Sequence, residues 1–235
     1  MLVARRMVCI VLAILFFAAT AQAGYDRIGR PIADDPMAVQ IFRLDNGLTV
    51  YITENHETPR FYAEIAVRAG SKQDPAESTG LAHYLEHVLF KGTEHLGTTD
   101  FAAEKVHLDR IEALYEEHFA ETDPAKRKEI YAKINEASQA AAAYAIPNEL
   151  DRVYSAMGAS DVNAHTWHEE TVYKVGLPAN RLRQWAKLEA ERFAAPVFRL
   201  FQVELETIYE EKNRSLDNKD RIIYQAIQEQ LYKVH

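Results

Sequence analysis

The chain has a single cysteine, Cys9, placed ahead of every other feature that carries structure. Without a second thiol there is no disulfide framework, and no thiolate metal site of the structural kind, which usually takes four ligands, commonly cysteines. Long apolar runs are also missing: no stretch reaches the roughly 20 residues that a membrane-spanning helix needs. The nearest approach is Met7 to Ala19, preceded by Arg5 and Arg6 and followed by Ala21-Gln22-Ala23. A basic start, a short apolar run and small residues at the cut form a secretory signal, with cleavage expected before Gly24. Residues 1–23 are therefore read as a signal peptide. The mature domain is read as 24–235, secreted or periplasmic, without cysteine and without a membrane span. Positive charge is scarce as well. The 27 Lys and Arg against 35 Asp and Glu leave a formal −8, and loss of Arg5 and Arg6 takes the mature chain to −10. That balance argues against nucleic acid as a partner and favours solubility.

What the chain does have is His83-Tyr84-Leu85-Glu86-His87. Residues four apart lie one helical turn from each other, so His83 and His87 can aim ring nitrogens at one cation, and Glu86 shares their face. Neutral imidazole suits zinc, and a catalytic site keeps one position open for water, whose pKa the metal lowers to roughly 7. Glu86 then has the chemistry to take the water proton as general base. The order His-x-x-Glu-His is the inverzincin signature. Two histidines leave the ligand set incomplete, so a third ligand must come from elsewhere. The helical stretch Leu200 to Leu216 offers Glu204, Glu206, Glu210 and Glu211. Glu204 and Glu211, seven apart, share a face; Glu206 points away, and Glu210 lies about a hundred degrees from Glu211.

Around these residues the pattern is mixed. Val39 to Arg43 and Leu48 to Thr53 flank Asp45-Asn46-Gly47, a hairpin signal, after a polar stretch that begins at Gly24. Phe61 to Arg68 alternates, with Phe61, Ala63, Ile65 and Val67 on one face, and reads as a half-buried strand. The helix with the histidines is expected to begin near Thr79. From Asp100 to about Met157 the pattern is helical. One apolar stripe is Leu108, Ile111, Tyr115 and Phe119; after Asp123-Pro124 a second is Ile130, Ile134, Ala137, Ala141 and Tyr144. These predict a helical hairpin packed on the domain. Pro147 opens a further short helix that Gly158 ends, and then come β-rich runs at Asp161 to Trp167 and Thr171 to Val175. Helices follow at Asn180 to Phe193, Leu200 to Leu216 and from Asp220 onward. The fold class is α+β, with a largely antiparallel sheet packed with helices.

The motifs as a set resemble the insulysin, pitrilysin and mitochondrial processing peptidase family of zinc endopeptidases. The likeness rests on Asn46-Gly47-Leu48, Ala69-Gly70-Ser71, Gly80 through His87, and Phe90-Lys91-Gly92-Thr93. It resumes at Asn163-Ala164-His165-Thr166, Glu170-Thr171-Val172-Tyr173, and Glu204 through Arg214. The resemblance implies a metallopeptidase αβ-roll, one Zn²⁺ per chain held by His83, His87 and Glu211, and Glu204 in support; Glu210 is the alternative third ligand. It also implies that Asn163 and Ala164, on an edge strand, hold an extended peptide or unfolded protein by strand addition. His165 and His168 lack ligand spacing and are read as bystanders.

His87 and Glu211 are farther apart than the family usually has them, by about 45 to 50 residues, the length of the helical hairpin. A helical insertion over about 104–150 is therefore expected. The resemblance covers only the N-terminal part of such enzymes, and the end at Leu231 to His235 carries no helix-stop signal. A truncated reading of a longer protein is expected, with a second homologous domain or chain as partner. The alternatives are a non-catalytic peptide-binding or partner subunit of the same fold, and an inactive fragment of a longer peptidase. An intact base at Glu86 argues against a pure binding module.

Overall fold

The structure, a computed structural model, describes residues 24–29, 32 and 34–232. The expected signal peptide, with Cys9, lies outside the described residues. The fold is α+β, and its strands form two three-stranded antiparallel sheets in two compact units that divide between Glu57 and Thr58.

The first unit holds β1 (Tyr25–Gly29), β2 (Gln40–Leu44) and β3 (Thr49–Ile52), in spatial order β1-β2-β3. The turn between β2 and β3 is the one expected from Asn46-Gly47. The Gly47 amide donates to the Leu44 carbonyl at 2.8 Å, and Gly47 has φ +88°, a left-handed conformation that costs glycine little. β1 is a strand where the sequence reads as a polar stretch. Four of its five residues are exposed, so it buries no alternate face, and its pairing with β2 is interrupted by a register shift between Arg27 and Gly29.

The second unit carries β4 (Arg60–Val67), β5 (Ser160–Thr166) and β6 (Thr171–Pro178) in the order β4-β6-β5. β6 is central and buried along almost its whole length, whereas β4 and β5 are edges. Val67, expected on the inner face of β4, is exposed because it sits at the strand's end, against the start of β6 at Thr171. Among the described residues seven α-helices complete the unit: α1 (Leu81–Val88), α2 (Phe101–Ala120), α3 (Pro124–Ala142), α4 (Glu149–Ala156), α5 (Leu182–Ala194), α6 (Phe201–Leu216) and α7 (Lys219–Leu231). Leu150 and Tyr154 of α4 pack with Val175 and Leu177 of β6, joined by Phe61 and Ala63 of β4 and Trp185 and Leu188 of α5. This core backs the sheet.

Helices α2 and α3 form the expected hairpin, with Leu114, Ile134 and Ala137 buried between them. Asp123 caps α3 by accepting from the amides of Ala125 and Lys126, with Pro124 in the first turn where its missing N–H costs nothing. One stripe residue is corrected: Phe119 is 86% exposed and Leu114 takes the buried position. At 100° per residue Phe119 lies about 140° around the helix from Leu114, so once Leu114 leads the contact face, Phe119 faces outward. The hairpin also touches α6, through the edge-on rings of Tyr115 and Phe201 and the hydrogen bond from Gln202 to Asn135. Among the described residues no helix is long and apolar enough to cross a membrane.

Candidate metal centre

Helix α1 begins two residues later than Thr79, at Leu81, because Asp74 caps it from a distance. Its carboxylate accepts from the amides of Gly80 at 2.7 Å and Ala82 at 2.8 Å, satisfying two donors that a helix N-terminus leaves unpaired. α1 packs against α6, β5 and β6. The contact with α6 is anchored by Tyr84, whose hydroxyl donates to the Phe201 carbonyl at 2.6 Å and whose ring meets the Phe201 ring edge-on at 4.7 Å. Burial pushes the Tyr84 phenol far above its usual range, so it stays protonated as a donor.

That packing brings the expected residues together from two helices. His83 Nε2 and His87 Nε2 are 3.2 Å apart, and Glu211 Oε2 lies 3.7 Å from the first and 3.6 Å from the second. Ligands placed about 2.0 to 2.1 Å from a tetrahedral zinc stand roughly 3.3 to 3.4 Å from one another, so His83, His87 and Glu211 have separations that would suit one such ion. Two nitrogens and one carboxylate oxygen are also a ligand type that zinc takes. Glu211 is the carboxylate beside the imidazoles. Glu210 is exposed, and its backbone carbonyl accepts from Arg214 of the same helix. Glu206 is exposed, as its helical position requires. The set is half-open to solvent, with His83 and Glu211 about two-fifths exposed and His87 one-fifth, which leaves room for water.

Glu204 stands two turns before Glu211, in the first turn of α6, and is nearly buried. Its Oε2 accepts from His87 Nδ1 at 3.3 Å, while Lys91 donates to its other oxygen. Burial pushes the Glu204 carboxyl up, but the hydrogen bonds from His87 and Lys91 outweigh that and hold it below the usual carboxylate range. The same hydrogen bond from the other side raises His87 above the ordinary histidine value, partly opposed by burial. A hydrogen bond on Nδ1 fixes the tautomer, so the Nε2 lone pair faces His83 and Glu211.

Glu86 is 8% exposed, and its Oε2 accepts from Thr166 Oγ1 of β5 at 2.6 Å. Asn163 and Ala164 lie on the same strand, which pairs with β6 on one side and, among the described residues, with nothing on the other. The Ala164 amide donates to Asn163 Oδ1 at 2.9 Å. His165 sits 3.8 Å from Glu170, and His168 Nδ1 is 3.4 Å from Ser71 Oγ; neither belongs to the group of side chains that could hold a metal. Lys91 and Thr166 lie within the recognisable motifs, but the spacing of Lys91 points to no role. For Thr166 a signal existed: with a period of two it shares a face with Ala164, and that face is the half-buried one.

A family model for insulinase, peptidase family M16, matches residues 49–107. Protease 3 of Escherichia coli K12 is 33% identical over 87 residues, 36% of this chain and 9% of that protein. A putative zinc protease of Schizosaccharomyces pombe is 40% identical over 60 residues, 26% of this chain and 6% of that protein. The chain thus matches about a tenth or less of the length of these relatives. Among solved structures, the first half of the periplasmic protease PqqL from Escherichia coli superposes with a TM-score of 0.53 at 22% identity. That superposition covers 80% of this chain and 31% of that one, and shows a shared fold. The family model's span includes the His-x-x-Glu-His helix, and over these residues the chain is similar to the insulinase family, peptidase family M16; its structural likeness to PqqL is to that protein's first half.

Proposed function

We propose that this chain is the metal-binding part of a zinc-dependent endopeptidase that hydrolyses peptides or small unfolded proteins. The observation that carries this is the convergence of His83 Nε2, His87 Nε2 and Glu211 Oε2 within 3.2 to 3.7 Å of one another, next in sequence to a buried carboxylate, Glu86. Zinc, when bound by these three residues, supplies a Lewis acid that brings the pKa of water to roughly 7 and polarises the scissile carbonyl.

The chain's own groups do the rest. Glu86 takes the proton of the attacking water and passes it to the leaving amine, so the amide is cleaved without a covalent intermediate. Glu204 keeps His87 in the tautomer that ligation needs, with Lys91 balancing its charge. Asn163 and Ala164 offer an extended substrate the open edge of β5, where backbone hydrogen bonds orient it. A second homologous domain or chain completes the substrate surface, consistent with the share of relatives that this chain spans. Residues 1–23 act as a signal for export to the periplasm or outside, in line with the description of PqqL as periplasmic. The segment about 104–150, which holds most of α2 and all of α3, is an insertion between the two halves of the site.

The test is cleavage of a quenched fluorescent peptide mixture by the zinc-loaded chain beside Glu86→Gln and a chelated sample. Cleavage that falls roughly 10²- to 10⁴-fold in Glu86→Gln while zinc stays bound supports the assignment. Full activity in that variant would sink it.

A further inference from the structure

We infer that Thr166 is a positioning residue for the general base, and that it ties the Glu86 carboxylate to the strand on which substrate is laid. The inference rests on the peptidase reading above. Thr166 Oγ1, at 2.6 Å, is the one hydrogen-bond partner of the Glu86 carboxylate among the described residues. A threonine hydroxyl has a single proton to give. Its neighbour Thr171 Oγ1, 3.3 Å away, spends its own proton on the Ala69 carbonyl at 2.8 Å. The Thr166 proton goes to Glu86 Oε2, a carboxylate that can only accept and lies much nearer at 2.6 Å than Thr171 at 3.3 Å, which leaves Oε1 for proton transfer.

The hydroxyl is itself rigidly held. Thr166 is β-branched, so its χ1 is stiff, and it stands directly across from Thr171 in the β5–β6 register. Glutamate has three rotatable side-chain bonds, and a base must be held to within about 0.5 Å of its productive position. A misplacement of about 1 Å costs on the order of 100-fold in rate. Asn163 and Ala164 precede Thr166 by three and two residues on the same strand. A peptide paired to β5 is thus placed in register with the hydroxyl that aims the base. One strand sets both the substrate and the carboxylate that acts on it.

The test uses the full chain loaded with zinc and compares Thr166→Val, Thr166→Ala and Thr166→Ser. The valine and alanine variants should lose at least 10-fold in kcat with KM changed less than about twofold, and serine should recover to within about threefold. Zinc content and melting temperature should match the parent. Affinity for a peptide hydroxamate, whose hydroxyl proton is taken by the base, supplies a readout without turnover. It should weaken at least fivefold in Thr166→Val, and adding that change to Glu86→Gln should weaken it no further. If zinc is bound but Thr166→Val and Thr166→Ala match the parent in kcat and hydroxamate affinity, the positioning role is overturned and the peptidase reading stands. If the chain takes up no zinc, or Glu86→Gln alters neither cleavage nor hydroxamate affinity, the peptidase reading fails and takes the positioning role with it.

Discussion

His87 is pulled in two directions by its ring nitrogens. Its Nδ1 gives a hydrogen bond to Glu204, which raises its pKa, and its Nε2 must be unprotonated to hold a metal. In the metal-free chain the raised His87 contributes stability that is full below its unfolded value of 6.5 and is lost as pH rises through the folded value. Glu204, lowered, contributes stability that is full above 4.5 and is lost as pH falls through its folded value. The pair therefore stabilises the metal-free chain most between pH 4.5 and 6.5. Thermal melts of metal-free Glu204→Gln against the parent should differ most in that window and less at pH 8, where the Lys91 partnership still remains. With metal the same substitution should weaken zinc binding roughly 10- to 100-fold at pH 7.5, measured by competition with a chromogenic chelator. An unchanged zinc affinity would remove Glu204 from the supporting role.

At the scale of elements, one buried pair sets where the loop after α1 goes. Arg199 donates to Glu104 of α2 through Nε at 2.9 Å and Nη2 at 3.2 Å, and to the carbonyls of Thr93 at 2.7 Å, Lys91 at 2.8 Å and Leu96 at 2.9 Å. The loop is tight. Gly92 has φ +107°, and a Cβ there would come within 2.1 Å of the Leu96 carbonyl oxygen. Because Lys91 opens this loop and also grips Glu204, Arg199 indirectly fixes the support of His87. Arg199→Met leaves Glu104 fully buried without its counter-charge and should cost about 3 to 5 kcal/mol in urea denaturation. The double variant Arg199→Met with Glu104→Leu should recover part of that loss, and no recovery would mean that the carbonyl contacts dominate. This pair shows where sequence reading stops. The hairpin turn at Gly47, the alternation of β4 and the His83–His87 face are local patterns, legible because each depends on residues a few positions apart. Glu104 looks like any first-turn acid on a charged helix, and its partner is 95 positions away. β1 is not legible because an exposed strand has no apolar alternation, nor is Leu114, because a charged helix carries several faint stripes until a neighbour selects one. Among the candidate site residues, the helix spacing of Glu204 and Glu211 was legible, but the reach of Thr166 to Glu86 depends on how β5 crosses α1.

For the molecule as a whole, the candidate site lies entirely in the unit that begins at Thr58, with its candidate ligands on α1 and α6. Those helices are joined through one edge-on ring contact, the Tyr84 hydroxyl and the His87–Glu204 hydrogen bond, with much of α6 left exposed: Val203, Leu205, Tyr209 and Leu216 all face solvent. A contact this modest gives a bridging ion a large share in holding α6 in place. Zinc bound to the folded state alone, at a free concentration about 100-fold above its Kd, adds about 2.7 kcal/mol. For a chain of this size that corresponds to a rise in melting temperature of roughly 5 to 10 °C. Removing zinc with a chelator should reverse the rise. Glu86→Gln should keep it, since the base is no ligand, whereas Glu211→Gln should lose most of it, since that change cuts α6 out of the bridge. Equal melting temperatures for the loaded and chelated parent would mean that α1 and α6 are already locked by their packing, and would remove the ion from any part in holding the fold.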